Sequence, residues 1–362
     1  MTPRESEIMD LIKQNPTISQ QEIADILNIQ RSSVAVHINN LSKQGYILGR
    51  CYILRDEPYI TVVGGANIDI VGYSNEKLIE KSDSNSGHVM QSSGGAGLNI
   101  SENLARLGLR TSLISVVGED ERGKNILAEL NLLDIDTGNM FIIHNSNTSV
   151  YLAILDENRD MNIAINDMDI MEKFTPLLIS KRKQIIENAE VSVIDTNLRK
   201  DTLKYILKNI EQKHFVDAVS VNKSKKLIGL LDNIYFLKAN KSEAECLSGM
   251  EIKDEESAKL AGRELINKGV KTVAITLGAV GSVYVDRESE IFIKAKPVEV
   301  INPSGAGDAF MAGYVYSHIN GCSAEECMEF ASAASRVTLK SARTSSDFLT
   351  VKNVEEEIVG VK

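Results

Sequence analysis

Residues 298–321 read VEVINPSGAGDAFMAGYVYSHING. A short apolar run meets a knot of small residues, then an aspartate, then a stretch expected to be helical. Gly305, Ala306 and Gly307 carry little or no side chain, so their backbone N–H groups can converge on an anion. The positive dipole end of the helix DAFMAGYVYSHI would favour negative charge at the same point. Together these features predict an anion hole for a moving phosphoryl group. Asp308 is the first carboxylate beyond it. Phosphoryl transfer to an alcohol needs a group that positions the hydroxyl and accepts its proton, and Asp308 is placed for that role. The alternative is that Asp308 only complements the helix dipole.

A second glycine-rich stretch, GEDERGKN at 118–125, has the spacing of a Walker A loop. It lacks the Ser or Thr that should follow the lysine to reach magnesium, having Asn125 instead. Glu119, Asp120 and Glu121 would also repel a polyphosphate lying there. A plain loop and helix start is the better reading.

Outward from the opening stretch, apolar β-branched runs recur at 59–65, 111–118, 191–195, 233–240, 271–278 and 281–286. Helical stretches such as LNISENLARLG and EESAKLAGRELINKG lie between them. Runs apolar on both faces imply strands covered on both sides, hence an α/β/α sandwich with a largely parallel sheet. Segments 72–93 and 145–167 are more polar and alternate with period two, which predicts a small β lid.

Residues 1–57 follow a different rhythm. Ile8, Leu11 and Ile12 share one helical face. Ser19 and Glu22 have the spacing of a capping box before a helix that would bury Ile23, Ile26 and Leu27. A third helix would turn Val34, Ile38 and Leu41 inward and leave Arg31, Ser32, Asn39 and Lys43 outside. GYILGRCYILR then reads as a hairpin around Gly49. This is the plan of a winged helix-turn-helix domain, and it resembles those of bacterial regulators. DNA is therefore an expected partner of residues 1–57. With six Lys/Arg against seven Asp/Glu there, its affinity should be modest unless a dimer doubles it. A module that only packs or dimerises is the alternative.

The chain has 362 residues, 43% of them hydrophobic and 25% charged, which describes an ordinary globular protein. A net charge of −10 argues against a whole surface built to attract nucleic acid or anionic membrane. The four cysteines are scattered, the start is charged rather than leader-like, and no run approaches the length of a membrane span. A cytoplasmic location is expected. The five histidines show neither metal nor triad spacing.

GAGDAF resembles the signature of the ribokinase-like (PfkB) carbohydrate and nucleoside kinases, and further matches occur in the expected order. The resemblance covers about 300 residues, taken here as 58–362. GGANIDIVG supplies Asn67 and Asp69, which in that family hold sugar hydroxyls. GGAGLNISENLARLG places Gly94, Gly95 and Gly97 before a helix, with Asn99 near its start. LKANKSEAE resembles the family's K-P-N-x-x-E segment, so Asn240 and Glu243 would organise Mg²⁺ and phosphate, with Glu243 as the metal-side carboxylate. TLGAVG gives Thr276, Gly278 and Gly281 to the loop that meets ATP. The resemblance implies an ATP- and Mg²⁺-dependent kinase, with a homodimer paired through its lids.

Within the family, ANIDIVGYS, AINDM and FVDAVSVNKSKK look like the pseudouridine kinase branch. Asn166 and Asp167 in AINDM would offer an amide and a carboxylate from the lid, although Asn-Asp is also common in hairpin turns. Thr148, Ser149 and Asn197 are further candidates for substrate contact, Asn197 because it ends a strand. Phosphorylation of the 5′-hydroxyl of pseudouridine is the expectation. A kinase for inosine, ribose or another sugar, and a regulator using the kinase fold as a ligand sensor, stay open. Two positions depart from the family pattern. Ala218 stands where proline is common and supplies no functional group. Asn302 stands where some relatives carry an aspartate that helps hold an activating monovalent cation, and a neutral amide would hold one less strongly.

Overall fold

The computed structural model describes residues 1–49, 58–74, 84–156 and 161–360. Helices Pro3–Gln14, Gln20–Leu27 and Arg31–Lys43 open the chain around their own core of Ile8, Ile12, Ile23, Val34, Ile38 and Leu41. The Ser19 capping box forms, with the Glu22 N–H donating to Ser19 Oγ at 3.1 Å and the Ser19 N–H to Glu22 Oε2 at 2.7 Å. Ile26 does not join the core but is 58% exposed. Ile23, Ala24 and Leu27 define the inner face of that helix, and the 100° step per residue carries Ile26 past its edge. Arg31, Ser32, Asn39 and Lys43 are all exposed. The far half of the hairpin expected around Gly49, from residue 50 onward, lies outside the described residues. Where the third helix ends, Gln44 offers its carbonyl to Asn188 Nδ2 at 2.9 Å, and Ile185 packs against Gly45.

The larger part is a sandwich built on one eight-stranded sheet. In spatial order its strands are Glu290–Lys294, Gly281–Val285, Thr272–Thr276, Phe236–Asn240, His214–Asp217, Ser192–Asp195, Ile60–Val63 and Thr111–Ile114. The last six run parallel, and the two at the other edge are antiparallel. Separate apolar cores cover the two faces, as expected for strands without a wet side. Helices Ala96–Arg106, Ala306–Ile319 and Ala324–Leu339 pack together within one of these layers. The expected strand 111–118 is in fact two. Ser115 turns its hydroxyl to the Gly64 carbonyl at 2.7 Å, and Val116–Gly118 leaves the main sheet to pair with Phe141–Ile143.

The lid is a four-stranded sheet in the order Gly87–Gly94, Asn67–Ser74, Val150–Leu155 and Met161–Asp167. Its register aligns Ser92, Asp69, Tyr151 and Asn166 across one face. The opposite face carries Ile70, Val89, Leu152, Ile154, Ile163 and Ile165.

Candidate active site

Ligands in open α/β sheets bind at the carboxyl ends of the parallel strands, where the strand order switches. Here those ends present Asp195, Asp217, Asn240 and Thr276 side by side. The site is built around them.

Helix Ala306–Ile319 begins at this edge, with Gly305 as its N-cap at φ 83°, a left-handed conformation that suits glycine. Any side chain there would also strike the Thr344 carbonyl, since an added Cβ falls 1.8 Å from its oxygen. The first-turn N–H groups of Ala306, Gly307 and Asp308 have no acceptor within the helix, as at every helix start. Beneath them lies a cation that sequence reasoning did not single out. Lys238 Nζ sits so close to Gly307 that an added Cβ would be 2.5 Å away. Lys238 is itself buried against Asp217, with Nζ 3.0 Å from Oδ2. Burial disfavours its charged form, but Asp217, Glu243 and Asp308 outweigh that and raise its pKa. The hole thus has a fixed positive charge as well as N–H donors.

Asp308 accepts a hydrogen bond from Asn99 Nδ2 at 2.8 Å. Burial, and then the nearby Asp217 charge, push its pKa up to about 7, against the lowering influence of Lys238 and of the Asn99 bond. A carboxyl poised near neutrality is well matched to accepting a proton.

On the substrate side, Asn67 Nδ2 donates to Asp69 Oδ1 at 2.6 Å, and burial raises the Asp69 pKa. Gly94 and Gly95 let the two strands close over this pair. A Cβ on Gly94 would lie 2.2 Å from Asp69 Oδ2, and one on Gly95, at φ 98°, would lie 2.8 Å from Asn67 Oδ1. Asp195, fully buried, ties these turns together: Oδ2 accepts the N–H groups of Gly65 and Gly97, each at 2.8 Å, and Oδ1 that of Asn197 at 2.7 Å. Burial raises its pKa against those bonds. Asn197 is buried against Gly65 and accepts a bond from Lys223. Ser149 is buried with its hydroxyl unpartnered. Thr148, by contrast, spends its hydroxyl on Asp120 at 2.6 Å, and Asp120 caps the helix Glu121–Leu132. The Walker-like spacing at 118–125 is therefore a helix start. Asn166 lies in a lid strand rather than a turn, is exposed, and shares the face of Asp69 two strands away, about 10 Å at ordinary strand spacing.

On the other side of the hole a cavity of about 690 Å³ is lined by Thr276, Gly278, Gly281, Ala306 and Gly307. Its walls of Ile293, Pro297, Val298, Phe310 and Leu339 are apolar, which suits a flat heterocycle. Asn240 and Glu243 form the capping box of helix Lys241–Ser248. The Asn240 N–H donates to Glu243 Oε2 at 2.8 Å and Asn240 Nδ2 to Oε1 at 2.7 Å. No cluster of three metal-ligating side chains occurs among the described residues. Glu243 is the carboxylate at this helix start, and Mg²⁺ is commonly held by phosphates, waters and one or two carboxylates. Glu243 would face it through water or by releasing one of its bonds to Asn240.

A carboxyl at a helix N-terminus, with an apolar cavity on one side and hydrogen-bonding side chains on the other, is the arrangement that a phosphotransferase with an alcohol acceptor requires. The sequence profile described as pfkB family carbohydrate kinase matches residues 57–350, and that described as winged helix-turn-helix DNA-binding matches residues 1–47. The chain is 34% identical over 355 residues to the uncharacterized sugar kinase YeiI of Escherichia coli K12, covering 98% of both chains. It is 36% identical over 304 residues to the pseudouridine kinase of the same organism, covering 83% of this chain and 96% of that one. Among solved structures, ribokinase of Arabidopsis thaliana complexed with ribose and ATP superposes with a TM-score of 0.68 at 25% identity, covering 83% of this chain and 98% of that one. The chain belongs to the pfkB family of carbohydrate kinases and carries a winged helix-turn-helix domain at its N-terminus. It is a sugar or nucleoside kinase.

Proposed function

We propose that this kinase transfers the γ-phosphoryl group of ATP to the 5′-hydroxyl of pseudouridine. The observation that carries the reading is the position of Asp308, between the anion hole and the Asn67–Asp69–Asn99 cluster. In this reading Asn67, Asp69, Gly94, Gly95 and Asn99 hold the ribose, and Asn166, Ser149 and Asn197 face the base. Thr276, Gly278 and Gly281 border the nucleotide. Asp308 accepts the hydroxyl proton as the oxygen bonds to the γ-phosphorus, and the bond to the bridging oxygen of the departing ADP breaks. The N–H groups of Ala306, Gly307 and Asp308, behind the Gly305 cap, and the Lys238 ammonium stabilise charge on the moving phosphoryl group. Asn240 and Glu243 would hold the Mg²⁺ that arrives with ATP, which would supply neutralisation of phosphate charge. The identity with pseudouridine kinase supports the choice of nucleoside. A panel of pseudouridine, inosine and ribose with ATP consumption as readout tests it, and a strong preference for ribose removes it.

The Asp308 pKa sets a pH dependence. The base is active when deprotonated, so activity is retained above the pKa and lost as pH falls through it. The kcat/KM profile should drop with unit slope below about pH 7. A profile flat down to pH 5, two units below that value, would remove Asp308 as the base.

We further take residues 1–57 as a DNA-binding unit and 58–362 as the kinase, in a cytoplasmic homodimer. The exposed Arg31, Ser32, Asn39 and Lys43 support the DNA half, which a gel shift with DNA upstream of the protein's own operon tests. Val89, Ile163 and Ile165, each more than half exposed on the lid face opposite Asp69, support pairing of two lids. Sedimentation as a monomer would remove the dimer. No helix among the described residues is long and apolar enough to cross a membrane.

A further inference from the structure

Asn302 fastens together two loops that meet at the anion hole. Its Nδ2 donates to the Ala342 carbonyl at 2.9 Å, while its Oδ1 accepts the Ser304 N–H at 2.9 Å. The neighbouring Ile301 N–H donates to the Leu339 carbonyl at 2.8 Å. The far loop also touches both halves of the site. The Thr344 carbonyl lies against Gly305, the Thr344 hydroxyl approaches Asn99 Oδ1 at 3.5 Å, and Ser345 Oγ donates to Asn103 Oδ1 at 3.1 Å. A shift of this loop would move the N-cap of the anion hole and the residue that holds Asp308. Asn302 therefore acts at a distance on the reacting groups, as a positioning residue.

The bond to Ala342 needs a donor. An amide is both donor and acceptor, whereas a carboxylate can only accept. With aspartate at 302, one oxygen could keep the Ser304 bond, but the other would face the Ala342 carbonyl acceptor to acceptor, with a negative charge added. A cation lodged between them would satisfy both oxygens. Cationic side chains on the far loop and its neighbours are already committed: Arg343 pairs with Asp347 at 3.2 Å, Lys340 with Glu357 at 2.5 Å, and Arg106 with Glu102 at 3.0 Å and with Asp347 at 2.9 Å.

We propose that the Asn302 amide N–H is a built-in replacement for a monovalent cation at this junction, so that the enzyme needs no K⁺ or Na⁺ to hold its anion hole in place. The residues present do not fit a bound cation there, because a donor N–H points at the carbonyl that would have to coordinate it. The neutral bond closes the loops at any salt composition.

The test compares full-length wild type, Asn302→Asp and Asn302→Ala in tetramethylammonium chloride and in KCl of equal ionic strength. Melting temperature is read first and needs no substrate, so its result is independent of the nucleoside proposed above. Turnover is then read with whichever acceptor in the panel is phosphorylated. Wild type should melt and turn over identically in the two salts. Asn302→Asp should lose roughly ten- to hundredfold in turnover without K⁺, the scale of an unsatisfied polar contact, and recover most of it with K⁺, with a parallel rise in melting temperature. Asn302→Ala, which removes the donor without adding charge, should be slower in both salts and indifferent to K⁺. Activation of wild type by K⁺ overturns the proposal, as does an Asn302→Asp variant indifferent to it. If Asn302→Asp does not fold in either salt, the wild-type comparison alone decides.

Discussion

Replacing Asp308 by asparagine is expected to lower kcat by about 10²- to 10⁴-fold, the usual contribution of a positioned base. The two side chains have nearly the same shape, so the Asn99 contact and the helix start should survive. What is lost is the capacity to take a proton. ATP and nucleoside affinities, read by calorimetry, should change little, because the amide NH2 group can still donate a hydrogen bond to the hydroxyl oxygen. The pH limb near 7 should vanish with the carboxyl that causes it. Near-normal turnover in this variant would mean that another group, or the phosphate itself, takes the proton.

The second large effect is expected at Lys238. Lys238→Met removes one partner of a buried ion pair and strands Asp217, which is 1% exposed. Breaking such a pair from one side costs about 3–5 kcal/mol. Denaturant unfolding should show that loss in the kinase core. Turnover should fall as well, because the Lys238 ammonium beneath the anion hole would be gone. A second substitution separates the two effects. Asp217→Asn added to Lys238→Met removes the stranded charge while keeping an oxygen for the Val219 N–H, which now donates to Asp217 Oδ1 at 2.9 Å. Stability should largely return in the double variant, and turnover should not. Recovery of both would mean that Lys238 serves only the fold.

The contrast between Asp308 and Lys238 shows what the chain discloses before it folds. Asp308 and Asn99 are legible because each sits where a glycine turn passes into a helix, and Asn67 and Asp69 because they open a strand directly after the glycine turn at 64–65; such junctions have a local signature. Asp195, Asp217 and Lys238 are less so. Each is a charged residue ending or interrupting an apolar strand, and each acquires meaning only from partners far along the chain. Lys238 and Asp217 are 21 residues apart, Asp195 and Gly97 are 98 apart, and Asn99 and Asp308 are 209 apart. A lysine inside FLKAN was the available signal, since an ammonium in a buried strand must have a counter-charge. The split of 111–118 at Ser115 was hidden for a similar reason: the hydroxyl that turns the chain answers to Gly64, 51 residues away. Ile26 was misplaced by a finer margin. An i, i+3, i+4 pattern admits one more apolar residue to the face than the small three-helix core can cover.

The measurement that bears most directly on the central claim is the identity of the phosphorylated product and the relative kcat/KM for pseudouridine, inosine and ribose with ATP and Mg²⁺. Phosphorus NMR of the product fixes the position of the ester. The account predicts that pseudouridine has the highest kcat/KM and that its product is the 5′-monophosphate. Preference for ribose or inosine, or a phosphate on another hydroxyl, would contradict it.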